Sequence, residues 1–126
     1  MIQLDTNFLI GSLVAGSRQD RRLRRWLAEG VAVGISSTSW AEFLCGPVDE
    51  EAIELATQLL SPAEPFLAED AAVAARLFGL GGRRRGSFVD CMIAATAIRV
   101  GAELATVNVS DFRRFEAGGL KLARER

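Results

Sequence analysis

Four acids stand where a carboxylate could do chemistry. They are Asp5 in Leu4-Asp5-Thr6-Asn7, Glu42 in Ser39-Trp40-Ala41-Glu42-Phe43, Asp90 at the head of Asp90-Cys91-Met92-Ile93-Ala94-Ala95-Thr96-Ala97, and Asp111 in Asn108-Val109-Ser110-Asp111-Phe112. Each also has a structural alternative. Asp5 or Thr6 can cap the helix that follows, because helix N-termini favour capping oxygens and negative charge. Glu42 follows Ser39 by three residues and Asp90 follows Ser87 by three, so both fit a capping box. Asp111 sits in the first turn of its own short helix. Against capping stands Asp90, which begins an otherwise apolar helix, where a charge is costly unless it is paired or bound to metal. Four carboxylates converging without lysine or histidine would repel one another, and a divalent cation is the simplest remedy. Carboxylate oxygens suit hard cations such as Mg²⁺ and Mn²⁺.

What the chain lacks narrows the chemistry further. It has no histidine, which removes Ser-His and Cys-His nucleophile pairs, His-metal sites and histidine-based cleavage of RNA. It has no tyrosine, and its only lysine, Lys121, is not in a Gly-Lys-Ser/Thr phosphate loop. Net charge is −1, yet the positive charge is clumped and almost all arginine. Arg18, Arg21, Arg22 and Arg25 recur at helical steps on one face, with Leu23, Trp26 and Leu27 free to turn inward. Arg83-Arg84-Arg85 forms a second cluster in the glycine-rich stretch before Asp90. Such runs are either solvated faces or phosphate contacts, and arginine's planar fork favours phosphate. Cys45 and Cys91 make neither a disulfide framework nor a zinc site and read as reduced core residues. With no charged-then-apolar leader and no run approaching eighteen apolar residues, a cytoplasmic protein with no membrane span is expected.

The elements that must position the acids follow from periodicity. At 126 residues the chain fits a single domain over 1–126, which would bury roughly two-thirds of its unfolded surface. A buried strand ends at Asp5, and helices are expected over 6–15 and from Ser17 to about Glu29. A second strand is expected over 31–36, then a short helix from Ser37 that Gly46-Pro47 stops, and a strong helix over 49–60 with Ile53, Leu55, Ala56, Leu59 and Leu60 turned inward. Phe66-Leu67 reads as a brief third strand, followed by a helix over 69–80. The segment from Ser87 to Gly101 is apolar nearly all round and should be buried. A fourth strand over 103–107, a short helix over 110–116 and a last strand over 120–122 complete the chain. Strands alternating with helices mean an α/β fold with a parallel sheet. In such a sheet the helix starts that follow the strands share the ligand-binding edge with Asp5.

Together, in order, the four motifs named above resemble the PIN-domain ribonucleases, and specifically the small VapC-type toxins of bacterial type II toxin-antitoxin pairs. Any one motif is weak, but the four cover the chain from end to end. The resemblance implies a three-layer α/β/α domain around a parallel sheet of order 3-2-1-4-5. It implies that Asp5, Glu42 and Asp90 bind the metal, with Asp111 as the more variable fourth acid; Asn108 competes with Asp111 for that place. Thr6, Asn7, Ser39, Thr106 and Asn108 would orient the ligands. From their place just ahead of Asp90's helix, Arg83, Arg84 and Arg85 are expected to contact the RNA backbone, with the Arg18 to Arg25 face as a weaker candidate. The implied activity is endoribonuclease cleavage by water activated on one or two Mg²⁺ or Mn²⁺ ions. The implied partners are an RNA substrate, a small VapB-like antitoxin and a second copy in a homodimer. Apolar positions available for such partners are Phe8, Leu9, Leu13, Val14, Trp40, Phe43 and Leu44, with core burial as the alternative. Other readings are a catalytically weak RNA-binding PIN domain and an antitoxin-binding scaffold. An aspartyl-phosphate phosphatase is disfavoured because the residue two after Asp5 is Asn7, not an acid.

Overall fold

A computed structural model describes residues 1–60 and 62–124. Its sheet has four strands, β1 (Ile2–Leu4), β2 (Val33–Ile35), β3 (Glu103–Ala105) and β4 (Lys121–Leu122), all parallel and in the order β2-β1-β3-β4. The central strand β1 is buried along its whole length, as expected where helices cover both faces. Between the strands run α1 (Thr6–Ser12), α2 (Arg18–Ala28), α3 (Ser37–Cys45), α4 (Glu50–Leu60), α5 (Ala68–Leu80), α6 (Phe88–Val100) and α7 (Val109–Arg113), the last continued by a 3-10 turn, Arg114–Gly118.

Successive residues of a strand point to opposite faces, which divides the core in two. Ile2, Leu4, Ile35 and Ala105 pack with Phe8, Leu9, Leu23, Trp26, Phe43, Ala56 and Leu60 from α1 to α4. Leu104 packs on the other side with Leu77 of α5, Ile93 and Ala94 of α6, Phe112 and Phe115. The layers are therefore helix, sheet, helix, in the α/β class expected. The buried helix α6 presents Ala94, Ala95 and Ala97 fully covered, small side chains that let its backbone lie close to its neighbours. It ends on Gly101, at φ 69°, a left-handed cap that only glycine adopts without strain. Across the joint between α5 and α6, Arg99 pairs with the fully buried Asp70 at 2.9 Å, reaches Glu64 at 3.2 Å and donates to the Pro65 carbonyl at 2.8 Å.

Several expectations need correction. The third strand at Phe66-Leu67 does not form; its place beside β2 is held by one parallel bridge, Ser36 to Glu64. Proline at 62 and 65 is the reason, since Pro65 has no N–H with which to extend a ladder. Leu67 instead caps α5. Of the expected order 3-2-1-4-5 the sheet therefore forms 2-1-4-5, with the Glu64 bridge standing where the third member was expected. The first helix stops at Ser12 and not at residue 15, where Ser17 turns back to donate to the Gly11 carbonyl at 2.6 Å and Gly16 takes φ 80°. Leu55 is exposed, not inward, and so are Leu27 and Cys45. Phe88 and Val89, in the first turn of α6, are also exposed, and the buried residues of that helix are Cys91 and Ile93 to Ala97.

Candidate active site

The register of the sheet sets the site. Leu4 pairs with Ile35 on one side and with Ala105 on the other, so Asp5, Ser36 and Thr106, the next residues along, sit abreast at the carboxyl edge. Asp5 caps α1, accepting from the Phe8 N–H at 2.8 Å, and its second oxygen accepts from the Thr106 hydroxyl. Thr106 accepts in turn from the Asn108 N–H at 2.9 Å. Asp5 is only 3% exposed. Burial pushes its carboxyl from 3.8 up to about 6; the bonds from Thr106 and Phe8 pull it back, and the charges of Asp90 and Glu42 add to the rise.

Glu42 and Asp90 arrive on α3 and α6. Ser36, not Ser39, caps α3, accepting from the Ser39 N–H at 3.1 Å. Glu42 is therefore free of the capping role its spacing allowed, and its Oε1 accepts from the Thr6 hydroxyl at 2.7 Å. Ser87 donates to the Arg84 carbonyl at 2.7 Å and makes no capping bond, so the second capping box does not form either. Asp90 is half-buried, and its carboxyl is raised first by that burial and then by the charges of Asp111 and Glu42, against Arg114 and Arg84.

Asp5, Glu42 and Asp90 line one polar hollow of about 100 Å³ together with Thr6, Asn7, Ile93 and Asn108. Asp111 does not line it. That residue faces an adjoining hollow of about 130 Å³, whose wall includes Asp90, Arg84, Arg85 and Arg114, and it lies 3.7 Å from the Arg84 guanidinium. Of the two candidates for the fourth position, Asn108 is the one that shares the first hollow. Ser39 is buried; its carbonyl lies 3.4 Å from the Thr6 hydroxyl, and its own Oγ has no partner among the described residues. Arg83, Arg84 and Arg85 are exposed on the turn before α6, Arg83 at φ 55°.

The donor set suits a hard divalent cation: three carboxylates and no cationic side chain line the first hollow. Among the described residues no three acids are gathered tightly enough to hold an ion as they stand. Asp5 and Glu42 each accept from a hydroxyl, that of Thr106 and that of Thr6 respectively. A hollow of about 660 Å³ lies at the opposite edge, where Ile2, Glu103 and Lys121 begin their strands; it holds none of these acids.

Two arginines carry roles that sequence reasoning missed. Arg114 lines the hollow beside Asp90, and the adjacent pair Arg113-Arg114 shortly after Asp111 was the available signal. Arg22 is not on a solvated face: its guanidinium lies 5.2 Å from the Phe8 ring and 5.0 Å from the Trp26 ring, and burial lowers its pKa. The i,i+4 spacing of Arg22 and Trp26 allowed the second contact, but no spacing rule pointed to the first, because Phe8 belongs to a different helix.

A family model described as PIN domain matches residues 2–117. Among solved structures, the chain is similar to one in VapBC2 from Rickettsia felis bound to a DNA fragment from their promoter, at 23% identity and TM-score 0.77 over 100% of both chains. It is similar to one in VapBC-1 from nontypeable Haemophilus influenzae, at 25% identity and TM-score 0.73 over 98% of this chain and 97% of that one. A toxin-antitoxin complex from Klebsiella pneumoniae matches at 26% identity and TM-score 0.69, over 89% of this chain and 90% of its counterpart.

Proposed function

The chain belongs to the PIN domain family, and from that premise we propose that it is a divalent-metal-dependent endoribonuclease, the toxin of a VapBC-type toxin-antitoxin pair, formed by one domain over residues 1–126. The observation that carries this reading is the hollow in which Asp5, Glu42 and Asp90 meet at the carboxyl edge of the sheet. These three would hold Mg²⁺ or Mn²⁺. Asn108 would complete the set from inside the same hollow, and Asp111 would act from beside it. When bound, the cation supplies Lewis acidity, making water acidic enough to attack and neutralising charge that develops on the scissile phosphate.

The side chains do the rest. Thr106 fixes one Asp5 oxygen and the Phe8 N–H fixes the other, so that carboxylate is aimed before any ligand arrives. Thr6 does the same for Glu42. Asn7 would act from the wall of the hollow, and Ser39 through its carbonyl beside the Thr6 hydroxyl. With no histidine in the chain and no protein nucleophile required, attack by water leaves a 5′-phosphate and a 3′-hydroxyl. Arg83, Arg84 and Arg85 would take the RNA backbone as it crosses the start of α6.

A toxin of this kind is restrained by a small antitoxin, and the solved relatives are toxin-antitoxin assemblies. The same partner, and a homodimer, are proposed here, and with them a cytoplasmic location; among the described residues no helix is long and apolar enough to cross a membrane. The deciding assay is cleavage of RNA by the purified chain with Mg²⁺ and with EDTA. Cleavage that stops in EDTA supports the nuclease. Binding without cleavage in either condition would replace it with a non-catalytic RNA-binding domain.

A further inference from the structure

The hollow next to the acids has one cationic side chain, Arg114, to which the reading above gives no part. It shares Asp90 with the hollow of Asp5 and Glu42, so a strand lying across the first turn of α6 meets both. Three guanidinium groups line it, from Arg84, Arg85 and Arg114. They are held very differently. Arg84 and Arg85 are exposed on a turn flanked by Gly82 and Gly86, both with positive φ, and Arg84 is tied only loosely to Asp111, at 3.7 Å. An exposed pair at that distance is weak and easily exchanged for another anion.

Arg114 is held by packing. Its guanidinium lies 4.9 Å from the centre of the Phe115 ring, and its Nε is buried without a hydrogen-bond partner among the described residues. The stem runs over Gly81, where an added Cβ would stand 3.1 Å from Arg114 Cδ and 3.2 Å from Nε. A guanidinium placed by an aromatic face and a missing Cβ at the wall of a hollow is a preformed receptor for an oxyanion. Asp90 and Asp111 face the same space and repel an anion, so a phosphate there must be met by more than one guanidinium.

We propose that Arg114 is the fixed arm, and Arg84 the movable arm, of a subsite for the phosphate adjoining the scissile one in the RNA strand, a proposal that rests on the nuclease reading above. The incoming phosphate replaces Asp111 as the partner of Arg84 and is met on its other side by the guanidinium of Arg114. Gly81 is then a specificity element, kept small so that Arg114 can lie flat.

The test measures binding of a 5′-labelled single-stranded oligoribonucleotide in EDTA across a KCl series, alongside Mg²⁺-dependent cleavage and thermal melting. Wild type is compared with Arg114→Gln, Arg114→Lys and Gly81→Ala. Arg114→Gln is expected to raise Kd and KM about tenfold, the cost of one charge-assisted hydrogen-bonding group, with a smaller change in kcat. It should also flatten the slope of log Kd against log salt by about 0.7, the value for one phosphate contact on a single strand. Arg114→Lys restores the slope but not the full affinity, because it keeps the charge and loses the fork. Gly81→Ala, at a φ of −81° that suits alanine, weakens binding in the same direction without removing any charge. A chain that cleaves RNA but shows unchanged KM and slope in Arg114→Gln overturns the subsite and leaves the nuclease standing. Should wild type bind without cleaving while Arg114→Gln still flattens the slope, the nuclease reading falls and the anion site stands. If Arg114→Gln does not fold, unchanged binding in Gly81→Ala overturns the proposal.

Discussion

At the scale of single residues, the acids differ in how far they are committed. Asp5 is buried and bonded twice, Glu42 is exposed and bonded once, and Asp90 is half-buried between two hollows. Asp5→Asn, Glu42→Gln and Asp90→Asn are each expected to abolish cleavage, while Asp111→Asn, outside the shared hollow, costs less. Thr106→Val keeps the ligands but frees one Asp5 oxygen, and an outer partner of this kind is worth about 10- to 100-fold in activity. Activity assays at saturating Mg²⁺ on folded variants check all five, and near-normal cleavage by any of the first three removes that residue from the site. The pH dependence of stability has a definite sign. The folded chain keeps a proton on Asp5 up to about pH 6, whereas the unfolded chain loses it near 3.8. Between those values the native state binds more protons than the unfolded one, so stability in EDTA falls as pH rises through that window and is level above it. The full drop is about 3 kcal/mol, and Asp90, also raised, adds to it in the same direction. Melting curves from pH 4 to 8 should show this slope in wild type, a reduced one in Asp5→Asn, and stabilisation by Mg²⁺ mainly above pH 6.

At the scale of elements, short strands do most of the positioning. Three residues of β1 set the register that puts Asp5 beside Thr106, and the chain then turns directly into α1. One member of that strand is at odds with its setting. Gln3 is 1% exposed, and neither its amide oxygen nor its amide nitrogen has a partner among the described residues. A buried amide left unpaired costs about 1–3 kcal/mol, so Gln3→Met, similar in shape and without that amide, should raise the melting temperature. A lowered melting temperature would mean that the amide is satisfied by ordered water. Helix α2 likewise departs from a plain amphipathic surface. Arg22 folds its guanidinium over Phe8 and Trp26, leaving Arg18, Arg21, Arg24 and Arg25 as its exposed basic residues.

At the scale of the whole molecule, the candidate partner surfaces sort differently from expectation. Phe8, Leu9 and Phe43 are core, while Val14 at 59% exposure and Leu44 at 45% are open, joined by Phe88 at 45% near the acids. An apolar groove lined by Ala41, Glu42, Cys45, Val89 and Met92 runs beside the same site between α3 and α6. Co-expression with the small open reading frame beside the gene is expected to yield a stable complex with suppressed RNase activity. Should no neighbour bind, and should the chain alone be harmless when expressed, the toxin assignment fails while the nuclease assignment can stand.

Local physics was legible in the sequence. Helix period, strand runs, glycine stops and the alternation of elements follow from neighbours a few residues apart, and they were enough for an α/β chain with a parallel sheet and for four acids near strand ends or helix starts. The ordered motifs were enough for the family. What the sequence left open were outcomes of long-range packing. Ser39 and Glu42 had the spacing of a capping box, but Ser36 took the cap because β2 ends at Ile35, one residue before it. Phe66-Leu67 had the composition of a strand, but a neighbouring proline lacks the N–H that a ladder requires. Asn108 and Asp111 lie on one turn of chain, and only the folded chain shows Asn108 in the hollow of Glu42 and Asp111 in that of Arg84. Arg114 and Gly81 are far apart in the chain and meet only because α5 packs on the 3-10 turn. Residue types and local spacing determine which groups are available; the register of the sheet and the packing of the helices decide which of them face one another.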